Sequence, residues 1–350
     1  MIITQKADMN DDLLGAFYLW FEKFAEYCEK ITIVCLYKGE CHFPENTKVL
    51  NLGKENGRSK LKYIFNFYKY IWQERRNYDA VFVHMNQNYV LLGGLLWKFW
   101  GKKISLWYAH GSVSFSLRLA EKLSDAIFTS TKGGFRLASK KVRVVGQGID
   151  TAKFQVPSSK FQKKSDKFKI ITVGRISPSK DYKTLISAIE ILVQKGYIPE
   201  IDIVGGPATK GDQKYFSDIK DEIREKKLGG IINFPGPVAN KDIVSLLQSS
   251  ELFVNMGLTG SLDKAILEAM ACGLIILTCN EALLEVLKNY KEILMYSKGD
   301  FNALAVKIEF FIKMNFEERK KIGDDLRKIV VENHSLNSLI KKIIGIIKNL

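Results

Sequence analysis

Short apolar runs alternate with amphipathic stretches along the second half of the chain. The apolar runs are rich in β-branched residues and end in polar turns, as strands buried on both faces do. The stretches between them repeat apolar residues at helical spacing. This alternation predicts a parallel sheet covered by helices. The predicted strands are KIITVG (169–174), IPEIDIVGG (198–206), IINFPG (231–236), ELFVNMG (251–257) and LIILTCN (274–280).

The first half repeats this alternation less regularly. Its apolar runs are again separated by helical patterns such as SLRLAEKLS. A polar segment with Pro and Ser, DTAKFQVPSSKFQKKSDKF at 150–168, follows this half and is typical of an interdomain linker. The predicted strands are 1–5, 31–38, 49–53, 79–86, 104–110, 125–131 and 142–148.

A chain of 350 residues exceeds one ordinary core, so we predict two doubly wound, Rossmann-like α/β domains. The predicted boundaries are 1–160 and 161–325, followed by a Lys-rich helical tail at 326–350 that could cross back to the first domain. Parallel sheets bind ligands at the carboxyl ends of their strands. Two such domains are therefore expected to face a cleft, with the chemistry on the loops that follow the strands.

Charge and cysteine content narrow the function classes. The chain has 53 Lys and Arg against 38 Asp and Glu, a formal net charge of +15. This excess suggests a nucleic acid, an acidic membrane or a phosphorylated ligand as partner, or it serves solubility alone. Five cysteines without a CxxC pair and four histidines argue against a disulfide framework or structural zinc and fit a reducing cytoplasm. The sequence has neither a signal-peptide pattern nor an apolar run long enough to span a membrane.

Two basic residues follow the predicted strand at 169–174. Gly174 ends this strand and lets a ligand approach the backbone. Arg175 follows directly, and Lys180 precedes the next predicted helix. Arg can bind two phosphate oxygens while Lys supplies a point charge, so the pair suits an anion. The alternative is that both are solvated side chains on a surface loop.

The segment TGSLDKAILEAMACG places one carboxylate in an apolar helical run. We predict a helix over 262–272 with Ser261 as its N-cap and the following glycine as its stop. Glu268 lies beside the apolar face of this helix, where an unpaired carboxylate is costly. It either forms a salt bridge with Lys264, four residues earlier, or accepts hydrogen bonds from ligand hydroxyls, as acidic residues do for a ribose.

The N-terminus of this helix is also a candidate anion site. Gly260 and Ser261 would add backbone donors and the positive end of the helix dipole. Together with Arg175, Lys180 and a ribose-binding Glu268, they describe a nucleotide diphosphate pocket. Cations and dipole can neutralise the diphosphate, and the sequence has no convincing DxD loop, so we expect no metal and no cofactor.

Taken together, these segments resemble a known enzyme family. VGRISPSKDYKTLISAI, IVGG, FPGPV and LEAMACGLIILTCN have the order and spacing found in retaining GT-B glycosyltransferases of the family 4 type. The resemblance covers most of residues 145–300, and in the first half it depends on WYAHG and VVGQGID. It implies a GT-B fold whose first domain binds the acceptor and whose second domain binds a nucleotide-sugar donor.

The resemblance also implies roles for individual residues. Arg175 and Lys180 match the residues that bind the donor diphosphate, and Glu268 matches the glutamate that holds the nucleotide ribose. His110 in YAHG matches a histidine that reaches the donor sugar, whereas by itself this residue reads as structural.

One departure from the family concerns the sugar contact. The second glutamate of the family, which contacts the transferred sugar, is replaced by Gly260. Asp263 is the nearest carboxylate, and it either takes over this contact or supplies a favourable charge to the first turn of the helix.

Basic and aromatic residues are interleaved in KENGRSKLKYIFNFYKYIWQERR (54–76) and LLWKFWGKK (95–103). This mixture suits an anionic membrane surface, and less well a single-stranded nucleic acid. The alternative is an amphipathic helix that packs on the sheet with a solvated basic face. An enzyme with a lipid-linked acceptor could use such a surface, so peripheral association with the cytoplasmic membrane is a hypothesis, and nucleic acid is not expected as a partner.

The sequence therefore predicts a retaining, metal-independent glycosyltransferase of the hexosyltransferase class. We expect a nucleotide-sugar donor, with UDP ahead of GDP, and a glycan or lipid-linked acceptor in surface polysaccharide or glycolipid synthesis. The alternative is a weakly active or inactive nucleotide-binding partner of another glycosyltransferase, because Gly260 lacks the sugar-contacting carboxylate.

Overall fold

The computed structural model describes residues 1–11, 14–57, 59–155, 167–239, 242–257 and 262–350. Residue contacts divide the chain into two compact units. The first comprises Met1–Gly148 together with Leu336–Leu350, and the second comprises Ile149–Ser335. The domain boundaries expected from the sequence stay predictions, and much of the expected linker lies outside the described residues.

Within the described residues, the first unit contains a seven-stranded parallel sheet with strand order 3-2-1-4-5-6-7. Its strands coincide closely with the apolar runs of the sequence. The chain adds β2 and β3 on one side of β1 and the remaining strands on the other. The strands are β1 (Ile2–Ala7), β2 (Ile31–Lys38), β3 (Thr47–Asn51), β4 (Ala80–His84), β5 (Lys103–Trp107), β6 (Ala126–Thr129) and β7 (Val142–Val144).

Helices cover both faces of this sheet. Because successive side chains of a strand point to opposite faces, Ile2 and Ile3 of β1 belong to two different buried clusters. The cluster with Ile3 includes Phe67 and Trp97, and the cluster with Ile2 includes Trp20. The first cluster is covered by α2 (Lys60–Gln73), α3 (Asn88–Phe99) and α4 (Phe115–Leu123), and the second by α1 (Gly15–Ala25) and α12 (Leu336–Lys348).

The second unit contains, in its described part, a five-stranded parallel sheet with strand order 10-9-8-11-12. The chain runs from β8 outward to β9 and β10, and then returns to the other side of β8 to form β11 and β12. The carboxyl ends of β8 and β11 therefore flank a topological switch point, where sheets of this kind bind ligands. The strands are β8 (Lys169–Val173), β9 (Glu200–Val204), β10 (Ile232–Gly236), β11 (Leu252–Asn255) and β12 (Ile275–Thr278).

The core of the second unit is a single cluster of apolar side chains from the sheet and its helices. On α8 the residues Ile266, Leu267, Ala269 and Met270 are all buried, since this helix lies between the sheet and α11. The helices are α5 (Tyr182–Gln194), α6 (Lys210–Glu225), α7 (Ile243–Gln248), α8 (Lys264–Ala271), α9 (Lys291–Leu294), α10 (Phe301–Lys313) and α11 (Phe316–Asn333).

Candidate functional site

The loop that follows β8 leads directly into the switch point of the second unit. Gly174 has φ +154° and Gly205, after β9, has φ +140°, values that side chains rarely adopt. A Cβ atom at Gly205 would lie 2.0 Å from the carbonyl oxygen of Gly174. The two loops thus approach as closely as their backbones allow, and glycine is required for this contact.

Lys180 lies on this loop, in a 3₁₀ turn at Pro178–Lys180. Its side chain passes between the backbones of two glycines: a Cβ atom at Gly174 would lie 3.3 Å from Cε, and one at Gly257 would lie 3.1 Å from Cδ. Lys180 Nζ is 2.5 Å from Asp263 Oδ2, and both side chains are largely buried. The sequence predicted an anion-binding role for Lys180, and the anion it meets here is a carboxylate of the same chain.

Asp263 also determines where α8 begins. Its Oδ1 accepts a hydrogen bond from the backbone N–H of Ala265 at 3.2 Å, so Asp263 is the N-cap of the helix. The predicted helix start at residue 262 and the predicted N-cap Ser261 are therefore wrong, because the aspartate side chain captures the free N–H group two residues later. Gly260 and Ser261, both predicted site residues, lie outside the described residues.

A neighbouring amide extends the contacts of Asp263. Asn255 Nδ2, at the carboxyl end of β11, is 3.5 Å from Asp263 Oδ2. The Oδ1 atom of Asn255 accepts a hydrogen bond from the Thr278 hydroxyl at 3.1 Å, which orients the amide group toward Asp263. Asn255 was not predicted as a site residue, although its position at the end of a predicted strand was a signal for it.

Arg175 points to a different carboxylate from the one that meets Lys180. Its Nε is 3.9 Å from Asp212 Oδ2, and its side chain is half-exposed. Asp212 belongs to the capping box of α6, in which the Thr209 hydroxyl accepts from the Asp212 N–H. Burial would raise the pKa of Asp212, but hydrogen bonds from Thr209 and Ala208 and the charge of Arg175 lower it overall. Arg175 thus keeps accessible N–H groups at the edge of the switch point.

Glu268 is a buried carboxylate on α8, with 5% of its surface exposed. Lys264 Nζ lies 3.5 Å from Glu268 Oε1, so the i−4 salt bridge left open by the sequence is present. Burial lowers the pKa of Lys264, while the charge of Glu268 acts to raise it. The pKa of Lys153 is also lowered, first by burial, and the charge of Glu268 again opposes the shift. Lys153 was not predicted to lie near Glu268, because it precedes β8 and is 115 residues away in sequence.

His110 lies in the first unit, directly after β5. Its backbone N–H donates to the carbonyl of Gly134 at 2.8 Å, which fixes the turn. Its Nδ1 accepts a hydrogen bond from the backbone N–H of Ser112 at 3.1 Å and is 2.7 Å from the Ser112 hydroxyl. A neutral imidazole with this contact carries its proton on Nε2. Since the residue is exposed, this N–H group is available to an external acceptor.

Among the residues that the structure describes, no group of three or more His, Cys, Asp or Glu side chains is arranged to hold a metal ion. No helix in the described part of the chain is long and apolar enough to cross a membrane.

Solved structures share the architecture of the whole chain. The HepE protein of Anabaena, in complex with UDP and glucose, superposes with a TM-score of 0.80 at 16% identity over 100% of this chain and 99% of that chain. Sucrose-phosphate synthase of Thermosynechococcus elongatus gives 0.80 at 14% identity over 100% and 98%. A glycosyltransferase of Rickettsia africae gives 0.75 at 17% identity over 99% and 98%. Similarity at such low identity concerns the fold alone, and it confirms the predicted GT-B fold with two parallel sheets. A search against proteins of curated function gave no match.

The sequence itself matches one protein family. The model of the glycosyl transferases group 1 family covers residues 155–329, which is half of the 350-residue chain. This segment contains the loop with Arg175 and Lys180 as well as the helix with Glu268. Assignment to the family 4 type and retention of configuration stay predictions. The family match and the fold together show that the chain belongs to the group 1 glycosyl transferases.

Proposed function

We propose that this glycosyltransferase takes its sugar from a nucleotide diphosphate donor, with UDP as the nucleotide, and transfers it to a glycan or lipid-linked acceptor. The observation that carries the proposal is the position of Arg175 and Lys180 on one loop at the switch point of the second unit. The neighbouring HepE structures contain UDP, glucose and UDP-glucose, which supports UDP as the first donor series to test.

The proposed roles follow the chemistry of each side chain. Arg175 and Lys180 bind the diphosphate oxygens, with the backbone at Gly174 allowing close approach. Glu268 accepts hydrogen bonds from the ribose hydroxyls. Gly260 and Ser261 are proposed to donate further hydrogen bonds to the phosphate oxygens. For His110 we propose a hydrogen bond from Nε2 to the donor sugar, as the family resemblance implies.

The proposed reaction is transfer with retention of the anomeric configuration. The bond between the anomeric carbon and the diphosphate oxygen breaks, and the acceptor hydroxyl forms the new bond on the same face. Arg175 and Lys180 stabilise the negative charge that develops on the departing diphosphate, an electrostatic effect that usually dominates catalysis. The proton of the acceptor hydroxyl passes to the departing diphosphate. Because the acceptor hydroxyl attacks the anomeric carbon directly, no protein nucleophile takes part, and we propose that the reaction needs no metal or other cofactor.

We propose that the two domains predicted from the sequence bind different substrates. Residues 1–160 are proposed to bind the acceptor and residues 161–325 the donor. The acceptor would belong to surface polysaccharide or glycolipid synthesis on the cytoplasmic side of a membrane.

A second candidate function has one specific observation in its favour. The carboxylate of Asp263 meets Lys180 Nζ at 2.5 Å, in the place where a diphosphate would be neutralised. Together with the glycine at position 260, this contact favours a nucleotide-binding or scaffolding partner with little transfer activity of its own.

Calorimetric binding of UDP, GDP and ADP to the wild type and Arg175→Ala tests the proposal, with a chelator present. We expect one nucleotide to bind with micromolar affinity and Arg175→Ala to weaken it at least about tenfold, because a charge-assisted contact is lost. Arg224→Ala, on the exposed side of α6, is the matched control and should bind as the wild type. If none of the nucleotides binds, the diphosphate site is wrong. Binding without release of nucleotide from any sugar donor would favour the scaffolding function.

A further inference from the structure

The outer face of α2 and α3 is apolar where the surface of a helix is normally polar. Along α2 three exposed apolar residues recur at helical spacing, and on α3 two more lie one turn apart. The exposed fractions are 79% for Leu61, 62% for Phe65, 54% for Trp72, 71% for Leu95 and 84% for Phe99. These five residues define what we call the α2–α3 surface. Exposed apolar patches of this kind mark interaction sites.

The two helices present these residues as one continuous surface. The Tyr68 hydroxyl of α2 donates to the carbonyl of Leu92 in α3 at 3.0 Å. The rings of Trp72 and Trp100 meet edge to face, with centroids 5.7 Å apart. The opposite side of each helix faces the core, where the rings of Phe67 and Trp97 pack edge to face in the buried cluster between the helices and the sheet. The outer residues are therefore not needed to fill the interior.

Cations surround the α2–α3 surface. Neither α2 nor α3 contains an Asp or Glu residue, and Lys60, Lys62 and Lys69 are all exposed on α2. Lys62 Nζ lies 5.5 Å from the centre of the Phe65 ring, and the Arg75 guanidinium lies 4.4 Å from the Trp72 ring. Basic side chains thus flank the aromatic rings instead of pairing with acidic residues of the same helices.

We propose that the α2–α3 surface docks the protein on an anionic lipid bilayer. A helix that carries Trp, Phe and Leu on one face and Lys beside them lies in the headgroup region with its apolar residues inserted. Each Lys near an anionic bilayer adds to the attraction. A second copy of the chain does not fit, because two such surfaces would bring like charges together. The proposal is independent of the donor site, since docking requires neither nucleotide nor transfer.

Vesicle flotation of the full chain tests the docking surface. The probes are vesicles of phosphatidylcholine alone and of phosphatidylcholine mixed with phosphatidylglycerol, at low and at high salt. We expect binding to the anionic vesicles only, weakened by salt. Lys60→Gln/Lys62→Gln/Lys69→Gln should weaken it by about a hundredfold, given the contribution of each cation. Phe65→Ser/Trp72→Ser should weaken it also at high salt, where the inserted apolar area remains the main contribution.

Matched controls lie in the second unit. Lys214→Gln/Lys220→Gln/Lys288→Gln removes the same charge from exposed positions there, and Phe310→Ser removes an exposed aromatic ring of α10. Both controls should bind vesicles as the wild type, and circular dichroism and melting curves check that every variant folds. Equal binding to neutral and anionic vesicles, or equal losses in the control variants, would overturn the proposal. So would a single-stranded oligonucleotide that competes with the vesicles for the lysines of α2 and binds more tightly.

Discussion

The side chain of Lys180 lies against the backbones of Gly174 and Gly257 and ends at the carboxylate of Asp263. Because Asp263 also caps α8, its carboxylate is held in place by the Ala265 N–H group. A diphosphate that binds Lys180 must therefore replace a contact that the chain already makes. At the scale of single residues, the proposed diphosphate site therefore predicts that nucleotide affinity depends on how strongly Asp263 competes.

Asp263→Asn tests this competition. Asparagine has nearly the same size and is an equally good N-cap, so the helix should remain intact. We expect UDP to bind about tenfold more tightly to the variant. In the wild type, Lys180 must break its charge-assisted hydrogen bond with Asp263 before it binds the diphosphate, and in the variant this bond is absent. Isothermal titration calorimetry of UDP and of UDP-glucose measures the change.

The control for this variant is Asp300→Asn, which alters the N-cap of α10, a carboxylate with the same capping role. It should leave nucleotide binding unchanged. Unchanged or weaker UDP binding in Asp263→Asn would speak against competition. A loss for UDP-glucose without a loss for UDP would instead assign Asp263 to the donor sugar.

At the scale of elements, the position of α8 depends on its packing beneath α11. A Cβ atom at Gly323 of α11 would lie 2.0 Å from the carbonyl oxygen of Gly273, the residue at which α8 is followed by a left-handed turn with φ +72°. The two backbones are in direct contact there. This contact fixes the C-terminal end of the helix that carries Glu268.

Gly323→Ala should therefore destabilise the second unit although alanine favours helices. The added methyl group meets backbone atoms that cannot move independently, and such overpacking costs about 1–3 kcal/mol. Gly345→Ala on α12 is the matched control, because a Cβ atom there has nothing within 4 Å. The control should gain about 0.5–1 kcal/mol from helix propensity. Thermal unfolding compares the two, and a melting temperature of Gly323→Ala at or above that of the wild type would refute the contact.

At the scale of the whole molecule, the last helix belongs to the first unit. The chain leaves the second unit after α11, and α12 packs on α1 through Leu339, Ile340 and Ile343. Trp20 of α1 lies in the same buried cluster. The first unit is therefore completed by residues that are far from it in sequence.

Ile340→Ala should loosen the first unit while leaving the second unchanged. Ile340 is fully buried, and the resulting cavity costs about 2–5 kcal/mol. Hydrogen exchange should become faster in β1 and α1 but not in α5 or α10. Val306→Ala, at an exposed position of α10, is the control and should change neither. Acceleration in α5 equal to that in α1 would contradict the assignment of α12 to the first unit.

The arrangement of the candidate site was predicted from the sequence only in part. The sequence identified Gly174, Arg175 and Lys180 as one loop, since all three follow a strand that could be recognised by its apolar residues. The contact between Lys180 and Asp263 could not be predicted from the sequence, because 83 residues separate them and the contact depends on how two loops meet at the switch point. The start of α8 was missed for a related reason, since several polar residues in a row could serve as its cap.

The sequence by itself determined the order of strands and helices along the chain, because a strand buried between two helical layers must be apolar along its whole length. It also determined the family, through motifs whose residues are close together in the chain. Only the tertiary structure decided which charges meet, how deeply Lys264 and Glu268 are buried, and which face of α2 is left outside. These properties arise from contacts between segments that are distant in sequence. The local periodicity of one segment does not indicate which other segment packs against it.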